Sequence, residues 1–231
     1  MRTFAIGDIH GNYKGLVQCL QRSKFDKEND KLIVLGDVCD RYPEIDASID
    51  ELLTIKNLVY VLGNHDEYFL TWLKTGIIDY SWVNQGGRAT LICYNNQIED
   101  VPLSHRNFLE TAVLYHEENN QVFVHAGLDP NQLEMRKQNK NVLIWDRDLI
   151  QNARNKSHSK PDFKYGKWDE IWVGHTPTTI WDSLVPVKFC NVIGIDTGSG
   201  WGGHLTMVDV ATKQFFQSDK SVDLYPSSER K

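Results

Sequence analysis

The sequence predicts an α/β fold in which parallel strands and helices alternate through the first part of the chain. Three apolar runs, TFAI, KLIVL and LVYVL, have the length and β-branched content of buried strands. Segments of helical periodicity separate these runs. A strand, a helix and a second strand form a βαβ unit, and such units build parallel sheets with right-handed crossovers.

The first elements follow in order from this pattern. A helix is expected at 12–22, where apolar residues share one face, and it returns the chain for a strand at 31–36. Pro43 then stands at a position suited to the start of a second helix. An apolar stripe along that helix leads to the third strand, at 58–62.

Residues 66–110 have a different character, helical and rich in aromatic side chains. Gly76 and the pair Gly86-Gly87 are expected to interrupt the helices. We interpret this segment as a helical cap or flank.

The second half of the chain reads as strands with one further helix. AVLYHEE and QVFVHAG predict a hairpin around the turn Asn119-Asn120. A helix is expected at 141–154 with Asn141 as a possible cap, followed by a polar, mobile loop at 155–167. EIWVGH predicts another strand, and VKFCNVIGIDTG, HLTMVDV and KQFFQS predict an antiparallel run. The domain is expected to end at 218, with 219–231 as a polar tail that frays.

Size and composition exclude several classes of protein. The 231 residues suit one domain. The net charge of −6 argues against non-specific binding of nucleic acid or of a membrane surface. The four cysteines lack C-x-x-C spacing and are expected to be reduced thiols. No segment reads as a signal peptide or a membrane span, so a cytoplasmic location is the expectation.

Polar motifs follow the first three apolar runs, namely GDIHG, GDVCDR and GNHD. They would bring Asp8, His10, Asp37, Asn64 and His65 to one edge of the sheet. Carboxylate, imidazole and amide donors of this kind suit Mn, Fe or Zn. The sequence therefore predicts a metal site at the strand ends.

Two later histidines, His125 in HAG and His175 in GHT, also follow predicted strands. Two divalent metals about 3.5–4 Å apart can share a carboxylate, activate a water and clamp a phosphate. The first carboxylate and imidazole would supply one metal, and the amide and the later histidines the other. Asp37, between them, would be the bridge.

The five motifs in this order resemble those of the calcineurin-like metallophosphoesterases. The resemblance is greatest to the PPP-type serine/threonine protein phosphatases in their small bacterial and phage form. It implies a four-layer fold, a two-sheet β-sandwich flanked by helices with a dinuclear metal site at the strand ends, spanning residues 1–218 with 66–110 as the helical cap.

The resemblance also implies a role for each motif residue. Asp8, His10 and Asp37 would hold the first metal; Asp37, Asn64, His125 and His175 would hold the second. The cofactors would be two divalent metal ions, with Mn as the first expectation and Fe or Zn as alternatives.

Four further residues would act on the substrate. His65 resembles a general acid that protonates the leaving group, and Asp40 resembles its partner. Arg41 and Arg147 resemble guanidinium groups that grip phosphate oxygens.

The expected function is hydrolysis of phosphoserine and phosphothreonine, on a phosphoprotein or a phosphorylated small molecule, without stable nucleic-acid binding. The alternative is hydrolysis of dinucleoside polyphosphates, such as diadenosine tetraphosphate, or of nucleotide-capped RNA. A silent phosphoprotein- or RNA-binding module is a third interpretation. The His65–Asp40 pair favours monoesters, because an alkoxide needs a proton more than a nucleotide phosphate does. The block WVNQGGRATL is similar in both enzyme classes and does not separate them.

Several sequence features have a purely structural interpretation beside the functional one. Tyr42, where the family commonly has glycine, is expected to form an aromatic wall beside the phosphate site. Asp196-Thr197-Gly198-Ser199 matches the aspartic-protease signature, but such catalysis needs two copies, so we interpret it as a turn between strands. Stacking of Tyr42, Trp72 or Trp201 on a substrate base is a minority alternative to a role in the core.

Overall fold

The protein is a four-layer sandwich in which two five-stranded sheets pack face to face between helices; the structure, a computed structural model, describes residues 1–226. The first sheet has the order β10-β9-β1-β2-β3. Its strands are β1 (Thr3–Ile6), β2 (Lys31–Val34), β3 (Asn57–Tyr60), β9 (His204–Asp209) and β10 (Phe215–Lys220). β1, β2 and β3 are parallel, whereas β9 is antiparallel to both β1 and β10. The predicted two-sheet sandwich flanked by helices is confirmed.

The second sheet has the order β4-β5-β6-β8-β7. Its strands are β4 (His116–Glu118), β5 (Gln121–Phe123), β6 (Glu170–Val173), β7 (Val187–Phe189) and β8 (Val192–Gly194). β5, β6 and β8 are parallel, and β4 and β7 are antiparallel strands at the two edges. The predicted hairpin around Asn119-Asn120 is confirmed, since β4 pairs with β5 across it.

The predicted antiparallel run at the end of the chain is wrong in part. β7 and β8 belong to the second sheet, where β8 is parallel to β6, while β9 and β10 belong to the first. The physical reason is that the alternation of a strand gives its faces but not its partner.

Helices cover the outer face of each sheet. The first sheet packs against α1 (Tyr13–Arg22), α2 (Ile45–Leu53), α3 (Asn64–Thr75), α4 (Tyr80–Trp82), α5 (Arg88–Cys93) and α6 (Leu103–Glu110). The second packs against α7 (Lys140–Trp145) and α8 (Asp148–Ser157). A short helix, α9 (Ser221–Leu224), follows β10. A π-helical turn, Val83–Gly87, joins α4 to α5, so the segment predicted as a helical cap is helical.

An apolar cluster fills the space between the two sheets. In β1, Phe4 and Ile6 pack toward the helices, and Ala5 packs toward the second sheet, as the period of two in a strand requires. The facing residues of the second sheet include Phe123, Trp172 and Ile193. The two sheets are therefore joined by an apolar core, which sets the ends of their strands side by side.

Three local boundaries differ from the sequence-based expectations. Pro43 precedes α2 by two residues and does not start it, because Glu44 is the N-cap. The expected helix at 141–154 is two helices, with Asn139 as the first cap, and it breaks where Asp146 and Arg147 leave helical geometry. Since α8 continues to Ser157, the first residues of the predicted loop are helical.

The end of the described chain is packed on the domain. β10 continues to Lys220, α9 follows, and Tyr225 is fully buried. The polar tail expected from 219 therefore begins as strand and helix, and 227–231 lie outside the described residues. Tyr42 is buried with its ring 4.9 Å from that of Tyr225. The expectation that Tyr42 forms a wall beside the phosphate site is wrong, because its ring faces the core.

All four cysteines are free thiols, and Cys19 and Cys39 are buried. None of the helices within residues 1–226 combines the length and the apolar character that crossing a bilayer requires.

Candidate metal centre

Side chains from the strand ends of both sheets meet in one buried group. The first sheet supplies Asp8 and His10 after β1, Asp37 after β2, and Asn64 after β3. The second sheet supplies His125 after β5 and His175 after β6. Each of the six is at most 6% exposed. The structure thus brings together all six residues that the motifs predicted as metal ligands.

Asp37 lies at the centre of this group. Its Oδ2 is 3.6 Å from His10 Nε2 and 4.0 Å from His65 Nε2, and its Oδ1 is 3.5 Å from His125 Nε2. Burial opposes ionisation of Asp37, but the neighbouring histidines, His125 and His65 foremost, outweigh burial and hold its pKa below the usual value. Asp37 is therefore an ionised carboxylate with an oxygen toward each side, the arrangement needed for a bridging ligand.

Hydrogen bonds to the backbone fix which nitrogen of each histidine faces the centre. His125 Nδ1 donates to Leu35 O at 2.6 Å, so Nε2 points inward. His10 Nδ1 lies 3.0 Å from Cys39 O, so its Nε2 also points toward Asp37. This pattern of one nitrogen on a carbonyl and the other on the site is typical of histidine ligands.

Donor atoms of three side chains converge at His125 Nε2. His125 Nε2 lies 3.0 Å from Asn64 Oδ1 and 3.2 Å from His175 Nδ1. Burial, followed by the charges of His125 and Arg147, lowers the pKa of His175 to about 2, so His175 is a neutral imidazole. Imidazole nitrogens and an amide oxygen that converge in this way are donors that a divalent cation would join.

Three buried carboxylates, those of Asp8, Asp37 and Asp196, also favour bound cations at this site. Asp8 accepts from His175 N at 3.1 Å through each oxygen, and Asp196 accepts from Gly198 N at 2.9 Å. Burial raises the pKa of both carboxyls, that of Asp196 to about 6, and Asp37 adds to the rise. Such a cluster of acids calls for compensating positive charge.

Two groups of donor atoms satisfy the geometry of a metal site. One is His10, Asp37 and His65, and the other is Asp37, His125 and His175; in each, the atoms lie within 4.8 Å of one another. Asp37 belongs to both groups. The residues present therefore fit a pair of divalent cations that share Asp37, with His65 close to the first.

The pair of His65 and Asp40 is complete and tightly held. His65 Nδ1 lies 2.6 Å from Asp40 Oδ2, which also accepts from Trp82 Nε1 at 2.8 Å, while Oδ1 accepts from Thr90 Oγ1 at 2.5 Å. Burial disfavours the charged imidazole, but Asp37 and Asp40 outweigh burial and raise the pKa of His65 above its usual value. The surroundings of His65 thus favour its protonated form, as the predicted role of a proton donor requires.

Both predicted arginines line the pocket over the metal centre. Arg147 Nη1 donates to His175 O at 3.0 Å. The guanidinium of Arg41 lies over the ring of Trp201, 3.9 Å from its centroid. Arg147 reaches the pocket because the break between α7 and α8 takes it off the helix surface, where a solvated position would be usual.

Unusual backbone geometry accompanies the site. His10, Asp37, Asp40, Arg41 and His175 all have positive φ, between 50° and 76°. Such backbone is costly outside glycine and is found where surrounding structure enforces it.

Two glycines allow carboxylates to approach the backbone closely. A Cβ on Gly63 would stand 2.1 Å from Asp37 Oδ1, and one on Gly174 would stand 2.3 Å from Asp8 Oδ1. Gly63, the first residue of GNHD, is therefore required because any side chain there would collide with Asp37.

Sequence reasoning missed several residues of the site. Asp196, interpreted as part of a turn, lines the pocket, and only its position after β8 could have signalled this. Trp82 and Thr90 support Asp40 from the WVNQGGRATL block, which also places Asn84 and Gln85 at the pocket. Trp145 lies there as well, and its ring is 6.2 Å from that of His175.

Fold and site together define a class of protein. Two mixed sheets between helices, with carboxylate, imidazole and amide donors at the strand ends, are the scaffold of a metallophosphoesterase. Residues 1–207 match the profile of the calcineurin-like phosphoesterase family. The chain belongs to the calcineurin-like phosphoesterase family, and the enzyme class predicted from the motifs is confirmed at this level.

Individual relatives fall into two groups. The chain is 29% identical to a symmetrical bis(5'-nucleosyl)-tetraphosphatase of Dechloromonas aromatica, over 96% of this chain and 97% of the relative. It is 25% identical to serine/threonine-protein phosphatase 1 of Salmonella typhimurium, over 90% and 91%. A solved structure described as a candidate diadenosine tetraphosphatase has a TM-score of 0.68 at 20% identity, covering 94% of this chain and 92% of that one. This last likeness shows the fold.

Proposed function

We propose that the protein hydrolyses dinucleoside tetraphosphates at its metal centre. The choice of this substrate rests on one observation, the match along nearly the whole chain to symmetrical bis(5'-nucleosyl)-tetraphosphatases from several organisms. This was the alternative in the sequence analysis, and the relatives favour it over the phosphoprotein substrate expected first.

The side chains of the pocket suit a phosphate chain. Two divalent cations bound there would activate water and neutralise phosphate oxygens. Arg41 and Arg147 would grip the oxygens of neighbouring phosphates with bidentate forks. His65, held by Asp40, would hydrogen-bond to the leaving oxygen and give it a proton where the leaving group requires one.

A second candidate function, hydrolysis of phosphoserine and phosphothreonine, is favoured by two observations. The alignment with the serine/threonine phosphatase spans 210 residues, whereas that with the first tetraphosphatase spans 279, more than this chain contains. The tetraphosphatase thus has insertions that this chain lacks. The His65–Asp40 pair, at 2.6 Å, also suits an alkoxide leaving group.

The test is a comparison of two substrates on the manganese-loaded protein, with a chelated sample as control. We expect a higher kcat/KM for diadenosine tetraphosphate than for a phosphothreonine peptide. Preference for the peptide would make the second candidate the function. Absence of turnover of either substrate would contradict both and support the binding module.

Replacement of the proton donor gives an independent measure of the leaving group. His65→Asn should lower kcat on the peptide by roughly 10²–10⁴. On the dinucleotide the loss should be smaller, because a nucleoside diphosphate leaves readily without a proton. Metal content is measured alongside. A loss of metal equal to the loss of rate would make His65 a ligand of the first group instead of a proton donor.

A further inference from the structure

Tryptophan is distributed unevenly over this molecule. Of the seven tryptophans, five are buried or partly buried, among them Trp72 in the core. The two exposed ones are Trp145, 39% exposed, and Trp201, 68% exposed. Both line the pocket over the metal centre. Contact between a tryptophan ring and water is unfavourable. Two exposed tryptophans at one pocket therefore indicate a ligand with flat apolar surfaces.

Hydrogen bonds hold the turn that carries the exposed Trp201. Its turn is fixed by Asn12 Nδ2, which donates to Ser199 Oγ at 3.1 Å, and by Gly203 N, which donates to Gly198 O at 2.8 Å. The guanidinium of Arg41 covers one face of the ring. A ring fixed by a structured turn loses little conformational entropy when a ligand stacks on it.

Trp145 is held by its neighbours near His175 of the second group. Its ring makes edge contacts with Tyr68, at 5.8 Å between centroids, and with His175, at 6.2 Å. It ends α7, two residues before Arg147, whose guanidinium is anchored on the carbonyl of His175.

Each tryptophan therefore has an arginine beside it and belongs to a different metal group. Trp201 and Arg41 lie at the first group, since a Cβ on Gly200, next to Trp201, would touch both His10 and Arg41. Trp145 and Arg147 lie at the second group, through His175. Asp37, shared by the two groups, lies between the pairs.

We propose that Trp201 and Trp145 are two nucleobase platforms, one for each end of a dinucleoside tetraphosphate that lies across the metal centre. This inference rests on the proposed function and adds the mode of substrate recognition. Each arginine would bind the phosphates of its own half, and each tryptophan would stack on the base. Two equivalent arms place the reacting phosphorus near the middle of the chain. Stacking tolerates any base, because every base has a π face.

The test uses three substrates that carry two bases, one base and none: diadenosine tetraphosphate, adenosine tetraphosphate and tripolyphosphate. The variants are Trp201→Leu, Trp145→Leu and both together. Phe163→Leu is the matched control, since Phe163 is an aromatic residue with the same exposure as Trp145 but does not line the pocket. Activity on tripolyphosphate normalises each value, so an indirect effect on Arg41 or His175 cancels.

The normalised kcat/KM for diadenosine tetraphosphate should fall about tenfold in each single variant and about a hundredfold in the double variant, as expected for independent stacking on two bases. Adenosine tetraphosphate can bind in either direction. Each single variant should therefore lose at most about twofold on it, and the double variant about tenfold. Trp201→Phe and Trp145→Phe, which keep an aromatic face, should recover most of the loss.

A binding measurement supports the kinetics. The dissociation constant of a diadenosine tetraphosphate analogue with a central methylene bridge, measured by calorimetry on the metal-loaded variants, should show the same losses. Unchanged normalised values in either single variant would overturn the two-platform inference while the proposed function stands. Wild-type protein that cleaves the phosphothreonine peptide but not the dinucleotide would overturn the proposed function and the inference with it.

Discussion

The two sheets share one plan but contribute to the site in different ways. Each has three neighbouring parallel strands with polar residues after their ends, and two further antiparallel strands. The first sheet delivers its donors in short motifs of several polar residues, and the second delivers single side chains, His125, His175 and Asp196. Chemistry from the first sheet is therefore visible in sequence, whereas that from the second depends on the tertiary fold.

The difference extends to the metal groups. The residues of the first group, His10 and Asp37 with His65 beside them, all follow strands of the first sheet. The second group combines Asp37 with His125 and His175 and so spans both sheets. The first group thus depends on the first sheet alone, whereas the second group depends on both sheets. Substitutions in each sheet can measure that difference.

The largest effect is expected at the shared residue. Asp37→Asn removes the bridging charge from both groups, so both metals should be depleted together and kcat/KM should fall by about 10³ or more, as loss of several kcal/mol of charge stabilisation requires. Metal per chain is measured by elemental analysis. If the variant lost only half of its metal, Asp37 would be a ligand of one group and not a bridge between two.

A matched pair of substitutions separates the groups. His10→Asn acts on the first sheet and His175→Asn on the second, and each should remove about half of the bound metal. The rate should fall by roughly 10²–10³ in each case, because one source of charge stabilisation is lost. Metal content is again the decisive measurement. If His175→Asn emptied both groups, the first would depend on the second sheet after all.

A smaller effect is expected at Asp196, whose charge helps to raise the pKa of Asp8. Asp196→Asn removes a buried negative charge that attracts cations, so affinity for manganese should fall by roughly 10–100-fold, the usual cost of altering a supporting residue. A manganese titration followed by activity measures this change. Unchanged affinity for manganese would show that Asp196 has only the structural role in a turn that the sequence predicted.

The smallest effect concerns the core that joins the sheets. Ile33 on β2 and Ile193 on β8 belong to the same cluster between the sheets. Ile33→Val and Ile193→Val should each lower the free energy of unfolding by about 1 kcal/mol, with little change in activity. Urea unfolding followed by fluorescence measures the loss. Two separate transitions would show that the sheets unfold independently.

Sequence alone predicted the elements and donors that local patterns encode. The six proposed ligands follow apolar runs, so their meeting could be inferred from the edge that parallel strands share. Pairing between distant strands could not be inferred, which is why β8 and β9 were placed in one antiparallel run.

The residues that hold the site residues in place were harder to predict from the sequence. Trp82 and Thr90 reach Asp40 across more than forty residues of chain, and no local pattern predicts such a contact. The helix break at Arg147 was also missed, because the residues around it have good helical periodicity. The side chain of Asp146 lies at the break and accepts from Leu149 N in the first turn of α8 at 2.9 Å.

The left-handed backbone at Arg41 has a consequence for the engineering of this enzyme. A residue with a Cβ at φ of 67° costs roughly 1–2 kcal/mol relative to glycine. Arg41→Gly would relieve that strain while it removes the guanidinium from the pocket. With the phosphate-binding role proposed for Arg41, stability and activity compete at this position, and selection for thermal stability alone would favour loss of activity.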